Sequence, residues 1–397
     1  MEPQPRLGLA ALTQIAFQGV DLAPFRAELM AHCVNGTASA GTFMDLSFIE
    51  QLQGNLEIGL EWQSRAFETC RIFRTFRGRA SRKTLLVFAA PIHMGGNTPI
   101  EFLLPGNEFD IITCYPSPGR NAGELPLPAH DVAFCAAPAD APGAEAFFEQ
   151  VRRLHGESNG PVLNLPDTFV RLERDCLPTR FEDAEGLRFP RTLRLDRESL
   201  GAALKDGSPE VQAIGDYPYV IRPVGSHAGM GLQKINSKDE FQTYLSGRDE
   251  AQFFVSEFID YASAHDGSFR KYRVVFVEGQ AYPCHMAISD QWDVWYMNAE
   301  MEASAEKRTE EAAFMDQFAA SFSKRHARAL ETLARGIGLD YFGIDCAEDW
   351  DGNLVVFEAD NALIIHDMDS PETFPYKQAH MHRVFHAFKA MLERAIS

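Results

Sequence analysis

Three acidic side chains near the carboxyl end of this 397-residue chain are spaced so that they can meet. Asp345 lies in the apolar run YFGIDCAE, Glu358 and Asp360 lie in NLVVFEAD, and the turn Asp349-Trp-Asp-Gly-Asn separates the runs. Two strands joined by that turn bring the acids together, and strand alternation sets Glu358 and Asp360 on one face, with Phe357 and Ala359 on the other. Carboxylates held close repel unless solvent or a cation stands between them. Mg2+ meets that need, because it takes a few carboxylate oxygens together with water and phosphate oxygens. The alternative is a solvated strand face. A second feature is Ile221-Arg-Pro-Val-Gly-Ser-His-Ala-Gly-Met-Gly-Leu, in which Gly225, Gly229 and Gly231 leave little side-chain bulk. Backbone N–H groups of such a loop can curl around phosphate oxygens while Arg222 neutralises charge. A hairpin connection would also use glycine, so this loop taken alone leaves both readings open.

The elements that must position these residues follow from the pattern around them. From 166 to 397 helices alternate with the strand candidates YPYVIRPV, AQFFVSEFI, KYRVVFVEGQAYPCHMAI, YFGIDCAE and NLVVFEAD, and Glu278-Gly279 reads as a hairpin turn. Long strands joined by tight turns predict an α+β domain. From 80 to 165 the short runs LLVFAA, DIITCY, DVAFCAA and PVLNL, with a helical stretch around Ala144 to Leu154, predict a parallel α/β unit. Its first strand leads into PIHMGGNTPIEFLL, where Gly95, Gly96 and Asn97 precede a helix start at Thr98-Pro99. That loop either offers backbone donors to an anionic group or only turns the chain. Residues 1 to 79 read as helices, with Leu52, Leu56 and Leu60 and then Ala66, Phe67 and Cys70 at helical spacing and Asp45 as an N-cap. Arg71, Arg74, Arg77 and Arg79 read as a solvated helix face and linker rather than a binding patch.

Composition narrows the function classes. A chain of this length exceeds one ordinary core, and three units are expected, 1–79, 80–165 and 166–397, the last dividing into 166–255 and 256–397. The apolar fraction of 45% and charged fraction of 23% fit a globular protein. The longest apolar run, Leu85 to Ile92, is far short of the roughly 18–20 residues that cross a bilayer. The opening MEPQPRLGLAALTQIAF lacks a basic region, a clean apolar block and a cleavage site, so export is not expected. Seven well-separated cysteines argue against disulfide frameworks and Cys-type zinc clusters, and a reducing cytoplasm is the expected setting. The 37 basic and 56 acidic residues give a net charge of −19, which repels a nucleic-acid backbone over any long contact.

The order of these features resembles the ATP-grasp superfamily across residues 80 to 397: a strand with a basic residue and Pro, a glycine loop, a Glu-bearing strand end, an Arg-bearing strand, then an Asp followed by Glu-x-Asn. Within it the chain is similar to carboxylate-amine ligases related to glutathione synthetase and to enzymes that add glutamate to a ribosomal protein. The resemblance implies an ATP-grasp fold preceded by a parallel α/β pre-ATP-grasp domain and a helical amino-terminal region. On this resemblance Arg222 stands where a nucleotide-binding Lys is common, and the loop holding Gly225, Ser226, His227, Gly229 and Gly231 closes over the phosphates. The segment Ser256-Glu257-Phe258-Ile259 matches the hinge that holds adenine, and Arg174 corresponds faintly to the earlier nucleotide-binding Lys. Arg273 occupies the place of the Arg that faces the transferred phosphate. Asp345 and Glu358 match metal ligands. Asp360 fills the usual Asn position, with Asn361 next to it, so either side chain is the third ligand.

The activity these residues imply is ATP-dependent amide formation through an acyl phosphate, with Mg2+ or Mn2+ as the cation and ADP and phosphate as products. Small carboxylate and amine substrates are expected, an amino acid or a peptide among them; assembly as a homodimer is left open. Asn97, Thr98, Arg270 and His366 are the candidate substrate contacts. None of His227, His285 and His366 has a partner at metal-ligand spacing, and His285 reads as structural or solvent-exposed. Cys346, beside Asp345, points to the opposite strand face and reads as core. Two other classes use the same residues: phosphotransfer without ligation, and a non-catalytic nucleotide-binding scaffold.

Overall fold

The computed structural model describes residues 2–76, 83–116, 127–138, 143–156, 160–165, 172–206, 216–226 and 229–397. The chain forms two compact units. The first comprises Met1–Thr168, Leu339–Phe342 and Asp360–Ser397; the second comprises Phe169–Gly338 and Gly343–Ala359.

The first unit is built on six strands, β1 (Gln4–Arg6), β2 (Ile72–Thr75), β3 (Lys83–Phe88), β4 (Phe109–Cys114), β5 (Val132–Cys135) and β6 (Val162–Leu163), in the order β1-β2-β4-β3-β5-β6. β3 pairs in parallel with both β4 and β5, and β5 with β6, as the apolar runs predict. Every residue of β5 is buried, as expected of a strand covered on both faces. The stretch read as wholly helical departs from that reading at two places. It contributes α1 (Leu9–Phe17), α2 (Ala23–Val34), α3 (Ala40–Leu52) and α4 (Leu56–Thr69), but also β1 and β2, and β2 runs antiparallel to β4, which makes the sheet mixed.

Asp45 is not an N-cap. Ser39 caps α3, accepting from the Thr42 amide in a reciprocal pair, and Asp45 sits inside that helix. Its carboxylate accepts from the amides of Leu7 and Gly8 at 2.8 and 3.2 Å. Burial outweighs those two bonds and pushes its carboxyl up to about 6. Beside it lies a buried ion pair, Arg6 with Glu101 at 3.1 Å, supported by Thr75 and Thr113. The carboxyl-terminal helix Lys377–Ile396 packs Phe388 against Phe134 and Tyr341, with ring centroids 5.4 and 5.2 Å apart.

The second unit is α+β, with two sheets. β8 (Thr192–Asp196), β9 (Tyr219–Pro223), β10 (Gln233–Ile235) and β11 (Gln252–Glu257) form an antiparallel sheet in the order β10-β9-β11-β8. Its core is Tyr219, Ile221, Phe253 and Val255 packed against Phe241 and Leu245. The other sheet has the order β13-β12-β14-β15-β7, where β7 is Leu187–Arg188, β12 Phe269–Val277, β13 Gln280–Ser289, β14 Tyr341–Glu348 and β15 Leu354–Asp360. β12 and β13 are a hairpin whose two turn residues, Glu278 and Gly279, have φ of 48° and 79°, the positive values a tight hairpin turn needs. The register of that hairpin shifts between Arg273 and Val274, a bulge that bends the strand where a functional side chain is expected. Helix Ala327–Ile337 buries Leu330, Leu333 and Ile337 and stops at Gly338, a left-handed C-cap.

Candidate functional site

The order of the five-stranded sheet puts β12, β14 and β15 side by side, and that adjacency assembles a charged cluster in the second unit. Asp345 on β14 is buried, and it is held by two cations from β12. Arg273 donates from Nε to Oδ1 at 2.8 Å and from its terminal nitrogen to Oδ2 at 3.1 Å. Lys271 brings Nζ to 3.2 Å from Oδ2. Strand alternation puts residues 271 and 273 on one face, so two neighbouring cations converge on one carboxylate. Burial works to raise the Asp345 carboxyl, but the charges of Arg273 and Lys271 overcome it and hold the group far below the usual carboxylate range. The guanidinium of Arg273 is in turn held protonated, the Asp345 charge overriding its own burial.

Glu358 on the adjoining β15 is paired with Arg174, 2.5 Å from Oε1, and Arg174 also donates to the Phe357 carbonyl at 2.8 Å. Burial pushes the Glu358 carboxyl up and neighbouring Asp345 adds to that. Arg174, helped by Arg222 and Lys271, outweighs both and leaves it below its ordinary value. Arg222, on β9, donates from Nε to Ser226 Oγ at 3.1 Å and also reaches the Ser226 carbonyl. Ser226 Oγ in turn donates to the Pro223 carbonyl at 2.7 Å, which closes the start of the glycine loop on itself. Gly225, Gly229 and Gly231 all have positive φ, and a Cβ on Gly231 would lie 2.7 Å from Pro223 Cδ, so that position tolerates no side chain. His227 lies outside the described residues, as do Arg77 and Arg79.

The segment expected to act as a hinge begins on β11, whose last two residues are Ser256 and Glu257. Glu257 is committed to Arg188 at 3.1 Å and Arg191 at 2.6 Å, and Ile259 is buried. The Phe258 ring carries Lys234 Nζ 3.5 Å from its centroid and meets Trp292 edge-on at 5.7 Å. Arg270 is one residue away from Lys271 but on the other strand face, where it pairs with Asp266 at 2.8 Å and with Glu310. It does not join Asp345. Cys346 is buried, donates to the Tyr272 carbonyl at 3.7 Å and is held well above its ordinary pKa by burial, which fits core rather than nucleophile.

The remaining candidates belong to the first unit. Asn97 is used on the backbone, accepting from the Ala90 amide at 2.7 Å and donating to the Ala90 carbonyl at 3.0 Å. Thr98 donates its hydroxyl to the Asn361 carbonyl at 2.6 Å. Asn361 is fully buried and donates from Nδ2 to the Ala137 carbonyl at 2.8 Å, while its Oδ1 has no hydrogen-bond partner. Asp360 accepts from the Ala362 amide at 2.7 Å. His366 accepts from the Met368 amide at 3.2 Å, and its ring meets Phe17 edge-on at 5.5 Å. A small open cavity of about 60 Å³ in this unit is lined by Arg6, His93, Asn97, Thr98 and Tyr115 among others.

Lys271 was not singled out from the sequence. The signal was present, since a cation two residues before Arg273 on a strand must share its face.

The donor set suits a hard divalent cation: two ionised carboxylates on adjacent strands. Four cations, Arg174, Arg222, Lys271 and Arg273, face two carboxylates, a surplus of two positive charges that favours a polyanionic ligand. No helix among the described residues is long and apolar enough to cross a membrane.

No family model matches the chain, and no curated protein does. Among solved structures, a RimK domain ATP-grasp protein from Sphaerobacter thermophilus matches 78% of this chain and 99% of its own, at 16% identity and a TM-score of 0.45. A D-alanine–D-alanine ligase from Bacillus anthracis matches over 80% and 99% of the two chains, at 14% identity and a TM-score of 0.47. The VanG D-Ala:D-Ser ligase from Enterococcus faecalis matches over 79% and 100%, at 15% identity and a TM-score of 0.46.

Proposed function

We propose that this chain is an ATP-dependent carboxylate-amine ligase of the ATP-grasp type. The observation that carries the reading is the paired arrangement of Asp345 with Arg273 and Lys271, and of Glu358 with Arg174, on adjoining strands. Ionised acids placed among a surplus of cations can give up one such partner, Lys271 at Asp345 or Arg174 at Glu358, for a metal, and the released cation can meet a triphosphate.

Asp345 and Glu358 would hold Mg2+, which when bound offsets charge on the phosphate oxygens. Arg222, Ser226 and the glycine loop would bind the phosphates through backbone N–H groups, and the hinge from Glu257 to Ile259 would bind the base. A substrate carboxylate oxygen attacks the γ-phosphorus, and ADP leaves with the electron pair of the broken bond. Arg273 stabilises the charge on the transferred group in that step and on the acyl phosphate afterwards. An amine then attacks the acyl carbon, phosphate departs, and the amine loses a proton as the amide forms. Little covalent chemistry falls to the protein, so the rate comes from positioning and preorganised charge, with loop closure excluding water. The carboxylate and amine are small molecules or peptides. Seven free cysteines are consistent with a reducing compartment.

Incubation with Mg-ATP, hydroxylamine and a library of carboxylic acids tests the reading. The expected result is ADP and a hydroxamate in equal amounts with at least one acid. ADP accompanied by a stable phosphorylated product and no hydroxamate would replace ligation by phosphotransfer. Nucleotide binding without any turnover would leave the scaffold reading.

A further inference from the structure

The lone pairs of Asp345 lead to an inference that rests on the nucleotide-and-metal reading above. A carboxylate offers about four acceptor positions. Arg273 takes one on each oxygen, at 2.8 and 3.1 Å, and Lys271 Nζ stands 3.2 Å from Oδ2 as an ion pair. Oδ2 is therefore flanked by both cations, and Oδ1 by Arg273 alone. The two cations differ in how readily they let go. Arg273 grips with a rigid fork, whereas the ammonium of Lys271 is a point charge on a flexible stem with one contact to the carboxylate. An ammonium at that distance opposes a dication twice over, by occupying the oxygen and by like-charge repulsion.

We propose that Lys271 is a counter-ion that keeps the divalent cation off Asp345 until nucleotide arrives, and that it then passes from the carboxylate to a phosphate oxygen. Metal binding at Asp345 in the absence of nucleotide would leave Lys271 without its partner in a cluster that already holds excess positive charge. A triphosphate supplies the missing anion, so metal and nucleotide enter together. Arg273 stays on Asp345 throughout and fixes its orientation. Lys271 is thus a positioning residue for the metal and a contact residue for the nucleotide.

Mn2+ can replace Mg2+ as the probe, because electron paramagnetic resonance reports the free ion. The full-length chain, K271M and K271R are titrated with Mn2+, with and without a non-hydrolysable ATP analogue. Without nucleotide, K271M is expected to bind Mn2+ about tenfold more tightly than the wild type, with K271R resembling the wild type. With nucleotide the order reverses, and K271M retains the Mn-nucleotide several-fold more weakly. Equal nucleotide-free affinities in the wild type and a K271M protein of unchanged melting temperature overturn the proposal and leave the nucleotide reading standing. K271Q serves the same comparison should K271M not fold. Tighter binding that persists in K271M/D345N also overturns it, since the ion would then sit elsewhere. A wild-type chain that binds no Mn-nucleotide overturns the nucleotide reading, and this proposal with it.

Discussion

Arg273 and Asp345 form a side-on pair across neighbouring strands, two parallel hydrogen bonds of 2.8 and 3.1 Å between a fork of donors and both carboxylate oxygens. Asp345 is buried and Arg273 largely so, and a register shift in β12 falls just after Arg273. Bidentate geometry fixes the orientation of the carboxylate as well as its charge.

Lysine at position 273 keeps the charge and loses the fork. R273K should fold and bind nucleotide, yet turn over about a hundredfold or more slowly, the loss typical of removing an oriented donor from a developing charge. Steady-state kinetics of ADP release check this, and a turnover number within threefold of wild type would remove Arg273 from the chemistry.

Glu358 is paired with Arg174, and Arg222 and Lys271 add to its positive surroundings. E358Q removes the charge with minimal change of shape. We expect ADP formation to fall to background while the circular dichroism spectrum stays that of the wild type. Unchanged turnover would reject Glu358 as a ligand.

Asp45 supplies a pH test separate from the site. Its carboxyl is pushed up to about 6 in the folded chain, against about 4 when unfolded. Between those values the folded state carries a proton that the unfolded state has lost, so stability falls as pH rises from about 4 to 6 and is level above that range. The contribution is on the order of 3 kcal/mol. Urea unfolding of wild type and D45N across this window should show the difference between them shrinking or reversing as pH rises. A pH-independent difference would mean that Asp45 does not titrate as its burial demands.

How far these features could be read in advance depended on whether local pattern or remote packing decides them. The apolar runs of β3, β4 and β5 and the β12–β13 turn are local signals, and the strands form where those signals lie. β1 and β2 are three and four residues long and owe their place to partners far along the chain, so helical spacing nearby masked them. Asp45 looked like a cap because of its residue type, but Ser39 with Thr42 provides the reciprocal bonds that start the helix. Within the site, the turn between the acid-bearing runs made the approach of Asp345 and Glu358 legible. Arg270 and Lys271 were separable by strand alternation alone, since adjacent residues face opposite ways; Arg270 goes to Asp266 and Glu310, and Lys271 goes to Asp345. The use of Asn97 and Thr98 on backbone partners was not legible, because the carbonyls they meet include one from a residue more than two hundred and fifty positions away.

The measurement that bears most directly on the account is equilibrium binding of an ATP analogue to wild type and D345N as Mg2+ is varied. The account predicts that wild-type affinity rises with Mg2+ and that D345N loses about tenfold or more of it, with the Mg2+ dependence flattened. Binding by the wild type that ignores Mg2+, or D345N that binds Mg-nucleotide as well as wild type, would contradict it.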